Sequence, residues 1–166
     1  MNAIVAVDRN WGIGKNNDLL FSIPEDLKNF RNLTFGKNVI CGRKTLISFP
    51  GQKPLPGRRH FVLTHSDLEE SENLTVVHSL DELFSKIREI PEDDVFVIGG
   101  ESIYRQLLPC CKKVFVTKIF ASDPAADVFF PDLDRESAFR VASAGEETLS
   151  RNGLKFAYFV YENQNL

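Results

Sequence analysis

Short runs rich in β-branched and aromatic residues alternate along this chain with segments of helical period. The runs AIVAVD, KNVICG, HFVLT, LTVVH, DVFVIGG, KVFVTKIF, AFRVASA and LKFAYFVYE predict eight strands. Helices are predicted to begin near Pro24, Lys44, Ser79 and Glu101. The start of SLDELFSKIREI is the best marked: Ser79 stands as N-cap with Glu82 three residues on, and Leu80, Leu83, Phe84 and Ile87 share one face. VFVI and NVIC are apolar without a break, which calls for strands covered on both faces, as in a parallel α/β sheet. The last two runs alternate better, and KFAYFVYEN after ETLSRNGL predicts an antiparallel hairpin at one edge. The expected fold is one α/β domain over residues 1–166. It is a mixed, mostly parallel eight-stranded twisted sheet with helices on both faces and a C-terminal antiparallel hairpin.

Composition narrows the function classes without naming one. At 166 residues the chain can bury a sizeable core, and its 43% hydrophobic content is that of an ordinary globular protein. A net charge of −3 argues against nucleic acid or an anionic membrane as the main partner. No apolar run reaches transmembrane length and MNAIVAVDRN has no basic segment before its apolar part, so a cytoplasmic address is expected. Cys41, Cys110 and Cys111 make neither a disulfide framework nor a metal cluster; no metal is expected, and Cys41 reads as a buried packing thiol.

Three strand-to-helix turns could bind an anion. Gly99-Gly100 follows an apolar strand and opens a helix directly, where free amides and the dipole suit a phosphate; a tight turn explains the same residues equally well. Gly42 is followed by Arg43, Lys44 and Thr45, two cations and a hydroxyl at a helix start, which read either as an anion site or as a solvated basic turn. Leu63 ends in Thr64-His65-Ser66, which reads either as donors to an anion or as a plain polar turn. In a parallel sheet these ends share one edge, the edge where open α/β folds bind ligands. A diphosphate plus one further phosphate has the outline of NADPH.

The stretch GIGKNNDLLFSIPEDLKNF raises a different possibility. Gly14-Lys15 is followed by Asn16, and Arg9 stands five residues before Gly14, so the P-loop pattern fails. A long loop from Arg9 to Ile23 remains, which reads either as a functional loop that Gly12 and Gly14 let move or as an inert surface loop. Pro24 opens a helix in which Asp26, Phe30 and Leu33 project to one side while Glu25 points elsewhere. Asp26 therefore reads either as a carboxylate at the rim of an apolar pocket or as a residue that merely complements the dipole. KPLPGRRH holds Arg58 and Arg59 at a rigid turn; Arg58 suits a carboxylate, and Arg59 reads as surface.

In this order IVAV, GIGKNNDL, IPEDLKNFRNLT, GRKT, PLPGRRHFVLT, IGGESIY, FVTKI, DVFFP and KFAYFVYEN resemble the dihydrofolate reductase family along nearly the whole chain. The resemblance implies NADPH-dependent reduction of 7,8-dihydrofolate. It makes Asp26 the acid that binds the pterin and favours protonation at N5, with Thr117 orienting it. It makes Val5, Ala6, Leu27, Phe30, Phe49, Leu55 and Ile98 the substrate pocket, and Arg58 the clamp on the glutamate tail. Ala6, Ile13, Gly14, Ile98, Gly99 and Tyr104 would surround the nicotinamide. Arg43, Thr64 and His65 would take the 2′-phosphate, with Gly42, Lys44 and Leu63 beside them. Thr45, Gly100, Glu101, Ser102 and Ile103 would take the diphosphate, with the Glu101 side chain pointing outward. The family's Leu-Pro-Trp is here Leu19-Leu20-Phe21, so Phe21 cannot hold water through an indole N–H and Leu20 lacks a fixed φ. Val128 stands where the family usually has Thr. Antifolate inhibitors are expected small-molecule partners and a monomer is the expected state. Reduction of another pterin or of a riboflavin-pathway pyrimidine, and cofactor binding without turnover, are the competing readings.

Overall fold

The computed structural model describes residues 1–166. In chain order the elements are β1 (Asn2–Val7), β2 (Gly12–Lys15), β3 (Asp18–Leu19), α1 (Pro24–Thr34), β4 (Asn38–Gly42), α2 (Arg43–Ser48), β5 (Arg59–Leu63), β6 (Leu74–Val77), α3 (Leu80–Ile87), β7 (Val95–Gly99), α4 (Glu101–Leu107), β8 (Lys113–Ile119), β9 (Val128–Phe129), β10 (Phe139–Ala144), β11 (Thr148–Leu149) and β12 (Lys155–Asn163). The main sheet runs β10-β12-β8-β1-β7-β4-β5-β6, with β11 added beside β12. Pairing is parallel from β8 to β6 and antiparallel around β12. All eight predicted strands are in it. The C-terminal hairpin is β11 with β12, but β12 is an inner strand and the edge belongs to β10.

The unbroken apolar runs have the predicted cause. Ala3, Val5, Ile40, Phe61, Val97, Val114 and Val116 face one side, packed with Leu83 and Ile87 of α3 and Ile103 and Leu107 of α4. Ile4, Val39, Cys41, Val62, Phe96 and Ile98 face the other, against Leu46 of α2 and Phe30 and Leu33 of α1. Successive residues of one strand enter different cores, so no position on an inner strand can be polar without a partner. Burial pushes the Cys41 thiol up to about 12, which keeps it a packing residue.

The capping at α3 differs in one detail. The Ser79 hydroxyl accepts from the Glu82 amide, but the Glu82 carboxylate reaches past the cap to the amide of His78.

The segment from Arg9 to Ile23 is not irregular. It contains the β2–β3 hairpin, and β2 also pairs with β9 to make a small sheet, β3-β2-β9. Asn16 and Asn17 both have positive φ, 50° and 59°, which is the two-residue turn that suits the twist of a hairpin. The glycines serve close approach rather than motion: a Cβ on Gly14 would lie 2.7 Å from the Asp18 carbonyl oxygen, and one on Gly12 would meet Asp8 at 3.0 Å and Leu20 at 3.1 Å. Trp11, at the base of the hairpin, is buried against Phe130 and Tyr161.

Candidate active site

Asp26 sits in the first turn of α1, facing the ends of β1 and β8, where Ala6 lies opposite Thr117. The Thr117 hydroxyl donates to Asp26 Oδ1 at 2.6 Å. Burial raises the Asp26 carboxyl above its ordinary value, and hydrogen bonds from Thr117 and Asn29 offset that only in part. No lysine or arginine of the chain pairs with it. Glu25 does point elsewhere: its carboxylate accepts from the Ser150 hydroxyl at 2.8 Å and the Arg151 amide at 3.1 Å, on the turn before β12.

Arg58 lies at the other end of α1, buried to 7% exposure. Its Nε donates to the Pro56 carbonyl at 3.0 Å and its Nη1 to the Thr34 hydroxyl at 3.3 Å, with its guanidinium 5.9 Å from each of the Phe30 and Phe35 rings. Burial, with the charge of Arg31, lowers its pKa. No acid of the chain neutralises it. Two residues hold the turn that presents it. Gly57 has φ of 73°, and a Cβ there would overlap the Phe35 ring. His60, fully buried, accepts from the Leu55 amide through Nε2 at 3.1 Å, so Nδ1 carries the proton and donates to the Arg58 carbonyl at 3.1 Å. The sequence offered no signal for His60 beyond its place in a strand. Arg59 lies outside, over the Phe61 ring.

Asp26 and Arg58 are thus separated by the length of α1, about 12 Å along the helix from Asp26 to Thr34. Between them Phe30 and Phe49 are half-buried against the second core, Ile98 lies within it, and Leu27 is half exposed. A flat polar ring at Asp26, an apolar middle and a carboxylate at Arg58 would fit this strip. Val5 is different: its side chain belongs to the opposite core, so only its backbone faces this side of the sheet.

The three candidate anion turns come together. Gly42 of β4 lies beside Leu63 of β5, and Cys41 is in register with Gly99 of β7. The Thr45 hydroxyl oxygen is 3.5 Å from where a Cβ on Gly99 would be and 3.4 Å from one on Gly100, so these glycines keep open a cradle that side chains would fill. Gly99 has φ of 126°, and its peptide to Gly100 is cis. Arg43, Lys44 and His65 are exposed, and Arg43 and Lys44 have no acidic partner. Thr64 binds the Ser66 amide through its hydroxyl at 3.1 Å. Ser102 is exposed and accepts from Gln106. Ile103 and Tyr104 are buried, Ile103 packing under Gly42 and Tyr104 donating to the Ile4 carbonyl at 2.7 Å; what they present to this cradle is backbone and a ring face beside Gly99. The cradle with its unpaired cations fits a dinucleotide bearing an extra phosphate.

The hairpin closes over this edge. The Asn17 side chain donates to the Lys44 carbonyl at 3.3 Å, Lys15 pairs with Asp123 at 2.8 Å, and the Asp127 carboxylate accepts from the Asn16 amide at 3.0 Å. At its base the buried Asp8 carboxylate accepts from the amides of Asn10, Gly12 and Asp123. Ile13 packs toward the first core. Phe21 packs against the small cluster of Ile23, Ile119 and Phe156, and Ala6 packs against the same cluster. Glu101 departs from expectation: its carboxylate does not point outward but accepts from the Phe129 amide and lies 3.8 Å from Arg105.

Similarity to known proteins agrees with this geometry. A family model described as dihydrofolate reductase matches residues 1–163. The dihydrofolate reductase of Bacillus subtilis (strain 168) is 37% identical over 163 residues, covering 98% of this chain and 94% of that one. That of Mycobacterium leprae is 38% identical over 152 residues, covering 90% and 89%. Among solved structures, dihydrofolate reductase from Enterococcus faecalis, described as complexed with NADP(H) and RAB-propyl, aligns with a TM-score of 0.82 at 29% identity, covering 98% of this chain and 95% of that one. A match over nearly the full length, in sequence and in backbone, means that the chain belongs to the dihydrofolate reductase family.

Proposed function

We infer that this protein reduces 7,8-dihydrofolate to 5,6,7,8-tetrahydrofolate with NADPH, in one-carbon metabolism. The observation that carries this reading is the pairing of Asp26, held by Thr117, with Arg58, left without an acidic partner, at opposite ends of one apolar strip. NADPH supplies the hydride, which goes to C6 of the pterin. Asp26 binds the pterin 2-amino group and N3, and the charge it holds there makes N5 a better base. The N5 proton comes through water rather than from Asp26. Thr117 keeps the carboxylate aimed, since its hydroxyl has one acceptor at 2.6 Å. Arg58 grips the α-carboxylate of the glutamate tail, a contact between desolvated charges. Arg43, Thr64 and His65 hold the 2′-phosphate, with Gly42, Lys44 and Leu63 lining it; Thr45, Gly100 and the first amides of α4 hold the diphosphate. The β2–β3 hairpin excludes water above the nicotinamide.

The chain acts as a single domain and a monomer, in the cytoplasm. Flat cationic pterin mimics compete for Asp26 and inhibit. Purified protein should lose NADPH absorbance only when dihydrofolate is added; loss at the same rate without it, or no loss with it, sinks the reading. A pterin without the glutamate tail should be reduced with a much higher KM, because it leaves Arg58 buried and unpaired.

A further inference from the structure

Glu101 places a negative charge in the first turn of α4, next to the cradle that takes a diphosphate, and it is the one acid of that turn. The helix dipole favours a carboxylate there, but a bound diphosphate would occupy the same field with the same sign. Glu101 avoids the conflict by turning sideways. One oxygen accepts the Phe129 amide and the other lies 3.8 Å from Arg105, one helical turn on. Phe129 is in β9, the outer strand of the small sheet β3-β2-β9. Toward β2, the Phe130 amide donates to the Trp11 carbonyl at 2.8 Å. The Phe129 amide points the other way and would be an open sheet edge without Glu101. Through Gly12 opposite Phe129 and Gly14 opposite Val128, β9 carries the hairpin that covers the nicotinamide edge.

We propose that Glu101 is a positioning residue that couples the diphosphate cradle to the lid: its carboxylate already accepts the Phe129 amide, and an anion at the start of α4, by repelling that carboxylate, holds it there more tightly and so steadies β9, β2 and the hairpin. By linkage a steadied hairpin favours the cofactor in return. The inference rests on the functional reading for the identity of the anion, a nucleotide diphosphate. It needs no rearrangement, because Glu101 already accepts the Phe129 amide and lies beside Arg105.

The test is amide hydrogen exchange at Phe129, Gly12 and Gly14, with and without NADPH, in wild type, Glu101→Ala and Glu101→Gln, alongside single-turnover hydride transfer. NADPH should slow exchange at Phe129 in wild type by about fivefold or more, the lower end of ordinary coupling. Glu101→Gln keeps an acceptor without a charge, so protection without NADPH should persist and the NADPH-dependent increment at Phe129 should vanish. Glu101→Ala should lose both, and its hydride transfer should fall by about three- to tenfold with little change in the KM for dihydrofolate. Wild-type protection at Phe129 in the alanine variant, or the full NADPH increment in the glutamine variant, overturns the proposal. Wild-type protein that binds NADPH but does not oxidise it with dihydrofolate overturns the functional reading alone, since exchange requires no turnover.

Discussion

Asp26 works against its own protein's stability. Its burial raises its pKa above the ordinary 3.8, so the folded state holds a proton that the unfolded state has released. The stability it contributes is complete below 3.8 and is lost as pH rises through the higher folded value. Near neutral pH the ionised carboxylate is therefore a cost, retained for chemistry. Asp26→Asn should raise the melting temperature at pH 7 while lowering turnover by about a hundredfold or more. The activity deficit should shrink in acid, where solvent protonates the substrate; a small loss that does not vary with pH would refute the role. Arg58 allows a parallel test. Arg58→Leu should raise the KM for dihydrofolate by about ten- to a hundredfold, the scale of hydrogen bonds between charged groups, yet leave a tail-less pterin unaffected. Equal losses on both substrates would mean that Arg58 only supports the turn. The side of the helix that Asp26 occupies was legible from its spacing to Phe30 and Leu33. Its lack of a cation and its distance to Thr117, 91 residues away, were not, because only packing of α1 against β8 decides them.

At the scale of elements the hairpin and the arginine turn depend on backbone that side chains cannot tolerate. Gly57 combines a φ of 73° with a Phe35 ring where its Cβ would be, so Gly57→Ala should cost about 2 kcal/mol or more, read as a lower urea midpoint. An unchanged midpoint would show that Phe35, half exposed, swings aside. Phe21 stands where the family resemblance implies Trp, and it packs against the cluster of Ile23, Ile119 and Phe156 at the joint between hairpin and α1. Phe21→Trp should improve hydride transfer or substrate binding by restoring an N–H donor beside the pterin; equal kinetics would show compensation elsewhere. The segment from Arg9 to Ile23 reads in sequence as a mobile loop because its two strands are short and lack apolar alternation. The Asn16-Asn17 pair was a hairpin signal that those strands were too short to support. Their third partner, β9, is far along the chain, and a pairing at that range leaves no local trace.

For the whole molecule the parallel sheet does two things at once. It divides the core in two, and it sets the ends of β4, β5 and β7 side by side, which turns three ambiguous turns into one cradle. One pH effect also reaches the whole fold. Burial lowers the His60 pKa below the ordinary 6.5, and protonation would take away the acceptor of the Leu55 amide. Its contribution is complete above 6.5 and is lost as pH falls toward the lower folded value, so the urea midpoint should drop as the solution is acidified below 6.5. In His60→Gln, which can accept from Leu55 and donate to Arg58 without titrating, that drop should be smaller; an identical drop would assign it to the carboxylates. The sequence by itself determined the eight main strands, the four helix starts, the two-sided burial of the sheet and the candidate chemistry of Asp26, Arg58 and the glycine turns. These follow from periodicity, capping and residue type, which act over a few neighbours. Only the tertiary structure decided that Val5 faces the far core, that Glu101 turns toward β9, that Arg58 is buried without an acid and that the loop is a hairpin. Each of these depends on which distant segment lies alongside, and that is settled when the two cores close rather than by any stretch of chain alone.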